Sequence, residues 1–222
     1  MTVHHHLDDA TLIRYASGDL DEAFSVVAAA HLAMCGECRR AARTAEEVGG
    51  RLLEAGEEAD LSVGAFDRMM QKLDDKDDRN PPASRERPSR VDSGSDVPLP
   101  LQRFVGSSLD EISWSSVVPG VRRHAIGLPT GTPSALYLLS IAPGKAIPEH
   151  GHAGAEMTLI LSGAYRDELG LFGPGDVADL DEHLEHQPRI EPGARCICLV
   201  AAEAPTRFKG FFSRLLQPLV GI

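Results

Sequence analysis

Two groups of residues able to ligate a metal stand in this chain, one in each half. The first is His31-x3-Cys35-x2-Cys38, with His4, His5 and His6 upstream. The second is Gly144-x5-His150-x-His152-x3-Glu156-x6-Gly163, with His186 about thirty residues further on. Among the nine histidines and four cysteines, only His124, His183, Cys196 and Cys198 fall outside these groups. Thiolate with imidazole suits zinc, whereas imidazole with carboxylate accepts zinc, manganese, iron or nickel. Two unlike sites on two unlike scaffolds point to a signal coupled to an output rather than to one simple reaction.

On a helix, residues four and seven apart share a face, so His31, Cys35 and Cys38 are expected to point at a common centre. Gly36 is expected to break the helix between the cysteines and let Cys38 swing inward. Three such ligands at this spacing suit tetrahedral zinc, which takes four. His6 is the expected fourth, because it lies just ahead of a first helix that would pack beside the second. His4 and His5 are expected to be solvated. Cys35 and Cys38 also admit two other readings, as small core residues or as a thiol redox pair. The strand–helix context of a thioredoxin-like motif is missing, which ranks the redox pair lower.

Residues 1–76 supply the helices for this first group. The spacing predicts helices over Ala10–Ser17, Leu20–Met34, Glu37–Ala55 and Ser62–Leu73. Asp19 followed by Glu22 reads as a capping box opening the second, whose apolar stripe is Leu20, Phe24, Val27 and His31. Gly49-Gly50 weakens the middle of the third by about 1 kcal/mol per glycine. The fourth is an amphipathic stripe of Val63, Phe66, Met69, Met70 and Leu73. Four short helices bury little, so a metal staple or a partner is needed. Residues 77–97 are Pro, Ser, Arg and Asp with almost no aliphatic side chains, the composition of a flexible linker. Residues 98–222 turn to short apolar runs punctuated by Gly and Pro, among them Ala135–Ile141, Met157–Leu161 and Cys196–Ala201. These have the length and spacing of strands in a small barrel or sandwich. The expected fold is therefore two-domain, α followed by all-β.

His150, His152 and Glu156 share one parity, so on an extended backbone they project to one face. If that face lines a small barrel, they converge. Gly163 is expected to turn the chain into a hairpin through Ala164–Gly170. The spacing resembles the cupin family, a double-stranded β-helix, whose first motif is complete from Gly144 to Gly163. The second cupin motif matches in spacing from Gly175 to His186 but departs at Asp181, His183 and Ile190. The resemblance implies His150, His152, Glu156 and His186 as metal ligands. Cys196 and Cys198 lie on one side of an apolar strand and read as small core residues, with a redox role open if that side faces the barrel interior. His183 reads as an exposed loop residue and His124 as structural.

Composition limits the function. A net charge of -11 over 222 residues argues against a duplex-binding protein, which needs Lys and Arg to displace counterions. It suits a basic protein partner. No signal peptide and no run of about 18 apolar residues is visible, so no membrane role is expected and the location expected is cytoplasmic.

Together the halves are similar to the ChrR anti-sigma factors of bacteria, a zinc-binding anti-sigma domain followed by a cupin. The similarity rests on the His-rich start, Ala23-Phe24-Ser25-Val26-Val27, His31-Leu32, Cys35-Gly36-Glu37-Cys38-Arg39, the cupin ligands, Leu184-Glu185-His186 and Cys196-Ile197-Cys198-Leu199. The resemblance implies a helical domain that keeps a group IV (extracytoplasmic-function) sigma factor from RNA polymerase. It also implies a cupin needed for the response to singlet oxygen and organic hydroperoxides. It assigns zinc to His6, His31, Cys35 and Cys38, and a second zinc to His150, His152, Glu156 and His186. The competing reading is a metal-dependent cupin enzyme, a dioxygenase or isomerase, with a helical accessory domain. A fully ligated zinc leaves no open position for that chemistry, so the chain is expected not to be an enzyme.

Overall fold

A computed structural model describes residues 2–74, 95–129, 131–205 and 207–208. Helices come first: α1 (Asp9–Ser17), α2 (Glu22–Met34), α3 (Gly36–Glu54) and α4 (Ala65–Asp74). The first two starts are set by short polar side chains. Asp8 accepts from the Thr11 N–H to open α1, and Asp21 accepts from the Ala23 N–H to open α2. The cap of α2 is thus Asp21, not Asp19 as the capping-box spacing suggested. Gly18, at φ 76, ends α1 in the left-handed conformation that glycine adopts without strain.

The break between α2 and α3 falls on Cys35 rather than Gly36. Cys35 is extended, at φ -107 and ψ 111, and closes α2 while opening α3. Its sulfur accepts from the Cys38 N–H at 3.4 Å, so the first thiol also caps the helix that carries the second. Gly36 is the first residue of α3, and the helix runs through Gly49-Gly50 without interruption.

A fifth helix, α5 (Leu99–Val105), stands where strands were expected to begin. Just before it, Val97 is buried, Ser95 bonds the Val97 and Ser107 carbonyls and Asp96 accepts from the Leu109 N–H, so the last three residues of the expected linker are tied to the fold. The rest of that linker lies outside the described residues. A 3-10 turn at Leu109–Glu111 leads into the strands.

The strands are β1 (Ser115–Val118), β2 (Val121–Ala125), β3 (Ala135–Ile141), β4 (His150–Gly151), β5 (Glu156–Ser162) and β6 (Tyr165–Asp167). They continue as β7 (Gly170–Phe172), β8 (Val177–Leu180), β9 (Glu185–His186), β10 (Arg189–Ile190), β11 (Cys196–Ala202) and β12 (Arg207–Phe208). A six-stranded antiparallel sheet runs β1-β2-β3-β11-β5-β8, and two smaller sheets run β10-β6-β7 and β12-β4-β9. Between β5 and β6 the chain turns at Gly163, φ 71, where a Cβ would collide with the Arg195 backbone.

Both faces of the large sheet are covered, which is why its central strands read as nearly continuous apolar runs. Alternate residues of β11 divide between two cores. Cys196, Cys198 and Val200 face the barrel interior with Tyr137, Ile160 and Tyr165. Leu199 and Ala201 join Leu138, Leu159, Phe24 and Val27 in the core beneath the helices. Helix α2 packs on β11, β5 and β3 as well as on α1, α3 and α5. It is therefore buried almost all round, with Ala23, Val26, Ala28, Ala30 and Leu32 covered in addition to Phe24, Val27 and His31. The single stripe expected from the sequence is only one side of it. By contrast, α4 leaves Phe66, Met69 and Leu73 exposed, as are Leu53, Leu61 and Val63 before it.

Candidate metal centres

The first cluster assembles at the junction of α1, α2 and α3. His6, His31, Cys35 and Cys38 each offer a ligand atom, and the four lie within 4.8 Å of one another. His6 Nδ1 stands 3.4 Å from Cys35 Sγ and 3.5 Å from Cys38 Sγ, while its Nε2 lies 3.6 Å from the Glu37 carboxylate. His31 donates from Nδ1 to the Gly175 carbonyl at 2.9 Å. A carbonyl only accepts, so this bond fixes the tautomer and leaves Nε2 a bare lone pair. That buried Nε2 has no hydrogen-bond partner.

Burial governs the electrostatics here. It lowers His31 to about 4, against a rise from the Gly175 carbonyl, so the imidazole stays neutral. It raises the Cys38 thiol to about 11, with Cys35 adding to the rise. Two sheltered thiols beside two imidazoles, one with an orphaned lone pair, form a donor set that fits a zinc-type cation. Cys35 and Cys38 would bind such a cation as thiolates, with release of their protons.

The second cluster lies inside the barrel. β4 and β9 pair so that His150 is opposite His186, and His152 follows two residues on from His150. His150 donates from Nδ1 to the Pro148 carbonyl at 2.9 Å. His186 donates from Nδ1 to Asp167 Oδ2 at 2.8 Å, and the Asp167 side chain is fully buried. With both Nδ1 protons committed, the two Nε2 atoms face each other at 3.0 Å as lone pairs. Two lone pairs at that separation repel unless a cation or a proton is shared between them. His152 Nε2 is buried without a partner, and its Nδ1 lies 3.2 Å from Glu156 Oε2. The three imidazoles form the convergent group. Glu156 borders it, bonded to His152 and to the Thr158 hydroxyl. Burial raises the Glu156 carboxyl, but the His152 hydrogen bond and the neighbouring imidazoles outweigh it and hold the group below its ordinary value. Burial, reinforced by His186, lowers His150 to about 4.

A cavity of about 80 Å³ opens beside this cluster, lined by His150, Glu156, His186, Tyr165, Cys196 and Cys198 among apolar side chains. Cys196 and Cys198 do face the barrel interior. The Cys198 thiol is pushed well up, first by its hydrogen bond with Cys196 and then by burial, so it is held as the thiol.

The ChrR Cupin-like domain matches residues 102–205. The anti-sigma-E factor ChrR of Cereibacter sphaeroides is 45% identical over 222 residues, the whole of both chains. This chain belongs to the ChrR anti-sigma factor family. The crystal structure of Rhodobacter sphaeroides SigE in complex with the anti-sigma ChrR is similar at a TM-score of 0.75 and 41% identity, over 90% of this chain and 99% of that one.

For this ChrR-family chain, each expected ligand has a definite place. His6, His31, Cys35 and Cys38 come together, as do His150, His152 and His186, with Glu156 against His152. His183 is exposed, and His124 donates to the Ser113 carbonyl. His4 is exposed, as expected, whereas His5 is half-buried. Their N–H groups bond Asp176, and the His5 ring stacks on Phe172 at 3.8 Å. Sequence reasoning missed Asp167 and Asp176, the buried carboxylates behind the two clusters. The one available signal for Asp176 is its place after Gly175 in the second cupin motif. Among the described residues, no helix is long and apolar enough to cross a membrane.

Proposed function

We propose that this chain binds and inhibits an extracytoplasmic-function sigma factor and releases it under oxidative stress, such as singlet oxygen or organic hydroperoxide. In this reading residues 1–76 carry the inhibitory surface, residues 77–97 tether it and residues 98–222 sense. The observation that carries it is the apolar surface running from the end of α3 through α4. Leu52, Leu53, Leu61, Val63, Phe66, Met69 and Leu73 are all well exposed. Covering such a side chain contributes about 1.5–3 kcal/mol, and nothing within the described chain covers these. The full-length likeness to a chain bound to SigE supports a sigma factor as the occupant.

The chemistry of each part follows from its residues. An amphipathic helix laid in an apolar groove supplies affinity, and the acidic charge steers a basic partner and orients it. His6, His31, Cys35 and Cys38 would hold one zinc and His150, His152, Glu156 and His186 a second, each of which would tie its ligands together. In the first cluster, His6 holds the entry to α1 against Cys35 and Cys38 at the start of α3. Freeing His6 therefore loosens α1 from α3 and alters the helical surface offered to the partner. In the second, Pro148 and Asp167 hold His150 and His186 in their tautomers. The apolar cavity beside them admits a small oxidant while excluding bulk water.

Run-off transcription with core polymerase and the cognate sigma factor tests the reading. Added full-length chain should abolish transcription near a one-to-one ratio. Undiminished transcription at a several-fold excess would exclude it.

A further inference from the structure

The turn between β7 and β8 belongs to the cupin in sequence, yet it grips the residues that carry the first cluster. Asp176 is buried at 3% exposure, and its Oδ1 accepts from the N–H of His4 at 2.6 Å and of His5 at 3.0 Å. Its Oδ2 accepts from the Gly173 N–H at 2.8 Å, which holds the carboxylate square to the chain. The Val177 N–H donates back to the His5 carbonyl at 3.3 Å. His5 is stacked on Phe172, and its Nε2 meets the Leu171 carbonyl at 3.1 Å. The neighbouring Gly175 carbonyl is the one that orients His31. Residues 171–177 thus fix the backbone directly before His6 and the ring of His31, two of the four members of the cluster.

The same turn is bolted to the strand that carries Glu156. The Gly175 N–H donates to the Ile160 carbonyl at 2.8 Å, and the Ile160 N–H donates to the Asp176 carbonyl at 3.0 Å. A short run of hydrogen bonds therefore joins the strand bearing Glu156 to the chain bearing His6.

We propose that Asp176 is a positioning residue for the N-terminal metal centre, so that the cupin scaffold sets how tightly that centre holds its metal. The proposal rests on the reading that His6, His31, Cys35 and Cys38 bind a metal. Its physical basis is the cost of arranging ligands. His6 precedes the first helix and has no secondary structure of its own to hold it. Its position comes from the clamp on His4 and His5, and a free segment would have to be ordered by the metal itself. Groups that orient ligands typically change metal affinity 10–100-fold when removed. Coupling of this kind is reciprocal, so metal at the first centre must stiffen the turn by the same factor.

Cobalt(II) bound to the full chain is the probe. Thiolate-to-cobalt charge transfer in the near ultraviolet reports the centre containing Cys35 and Cys38, and a Cys35→Ser chain supplies the blank. Asp176→Ala should weaken that cobalt site 10–100-fold. Asp176→Asn should recover most of the loss, since its amide oxygen still accepts from His4 and His5. Asp176→Ala with wild-type cobalt affinity would overturn the proposal. A second measurement does not depend on any Asp176 variant folding. In the wild-type chain, hydrogen exchange at Val177 and Gly173 should slow on metal addition, and it should slow less in Cys35→Ser. Equal slowing in both chains would also overturn it. A wild-type chain without the charge-transfer band would remove the metal-centre reading itself. A normal band with unshifted Asp176→Ala would remove only the coupling.

Discussion

His31 and Gly175, 144 positions apart in sequence, are joined by a hydrogen bond of 2.9 Å from imidazole Nδ1 to backbone carbonyl. The bond spans the two halves of the chain, and it decides which nitrogen of His31 is free to ligate. The helical half supplies all four members of its cluster, but the β-half supplies the carbonyl that orients His31. Its predicted behaviour follows from that dependence and from the two donor sets.

Replacing Cys35 or Cys38 by Ser should abolish metal retention at the first centre, along with inhibition of the sigma factor. Metal stoichiometry and run-off transcription on the same preparation check this. A Cys35→Ser chain that still silences its partner would sink the claim that the centre organises the binding surface.

His150→Ala should separate the two activities. Inhibition should persist, because the exposed stripe and the first cluster are untouched, whereas release by oxidant should be lost. Asp167→Asn should act more mildly, lowering metal affinity of the barrel site 10–100-fold through loss of the carboxylate behind His186. Competition with a chromophoric chelator reads the difference.

Phe66→Asp tests the docking surface. Phe66 is 69% exposed and touches no core, so thermal stability should stay within about 2 °C of wild type. Sigma binding, measured calorimetrically, should weaken by about 2 kcal/mol or roughly 30-fold. A large stability loss would mean that α4 packs against its own chain instead.

The metal-stripped protein should lose stability in acid well before its carboxylates titrate. Burial holds His31 and His150 at about 4, below the ordinary value of 6.5. The unfolded chain therefore binds more protons than the folded one below pH 6.5. The stability that these neutral imidazoles contribute is full above that value and falls as pH drops toward 4. Each group sets a slope of up to about 1.4 kcal/mol per pH unit. Urea melts in chelator at pH 7, 6 and 5 check the sign, and a flat profile would refute it.

Gly163→Ala should cost at least about 2 kcal/mol, because φ 71 disfavours an L side chain and the Arg195 backbone occupies the space. At this chain length that lowers the melting temperature by about 5 °C or more.

The two clusters were legible because metal chemistry favours short, fixed spacings, as between His31, Cys35 and Cys38 or between His150 and His152. The long strands were legible for a similar reason, since apolar runs such as Ala135–Ile141 are bounded by glycine and proline. What escaped was whatever depends on contacts distant in sequence. The second buried side of α2 is created by β11 and β5, which no helical period reveals. Asp176 reaches the His4 backbone across 172 positions and His5 stacks on Phe172, so nothing local marked His5 as packed. Helix α5 was hidden by its prolines, which read as punctuation although Pro98 stands at the N-cap and Pro100 within the first turn.

Strand β11 has a consequence for how such proteins can diverge. One of its faces is the wall of the cavity, through Cys196 and Cys198, and the other is the floor on which α2 rests, through Leu199 and Ala201. The two halves consequently are not interchangeable parts. A hybrid that grafts this helical half onto another family's barrel inherits a floor of the wrong contour. Substitutions that reshape the cavity at Cys196 or Cys198 act on the very strand that supports α2.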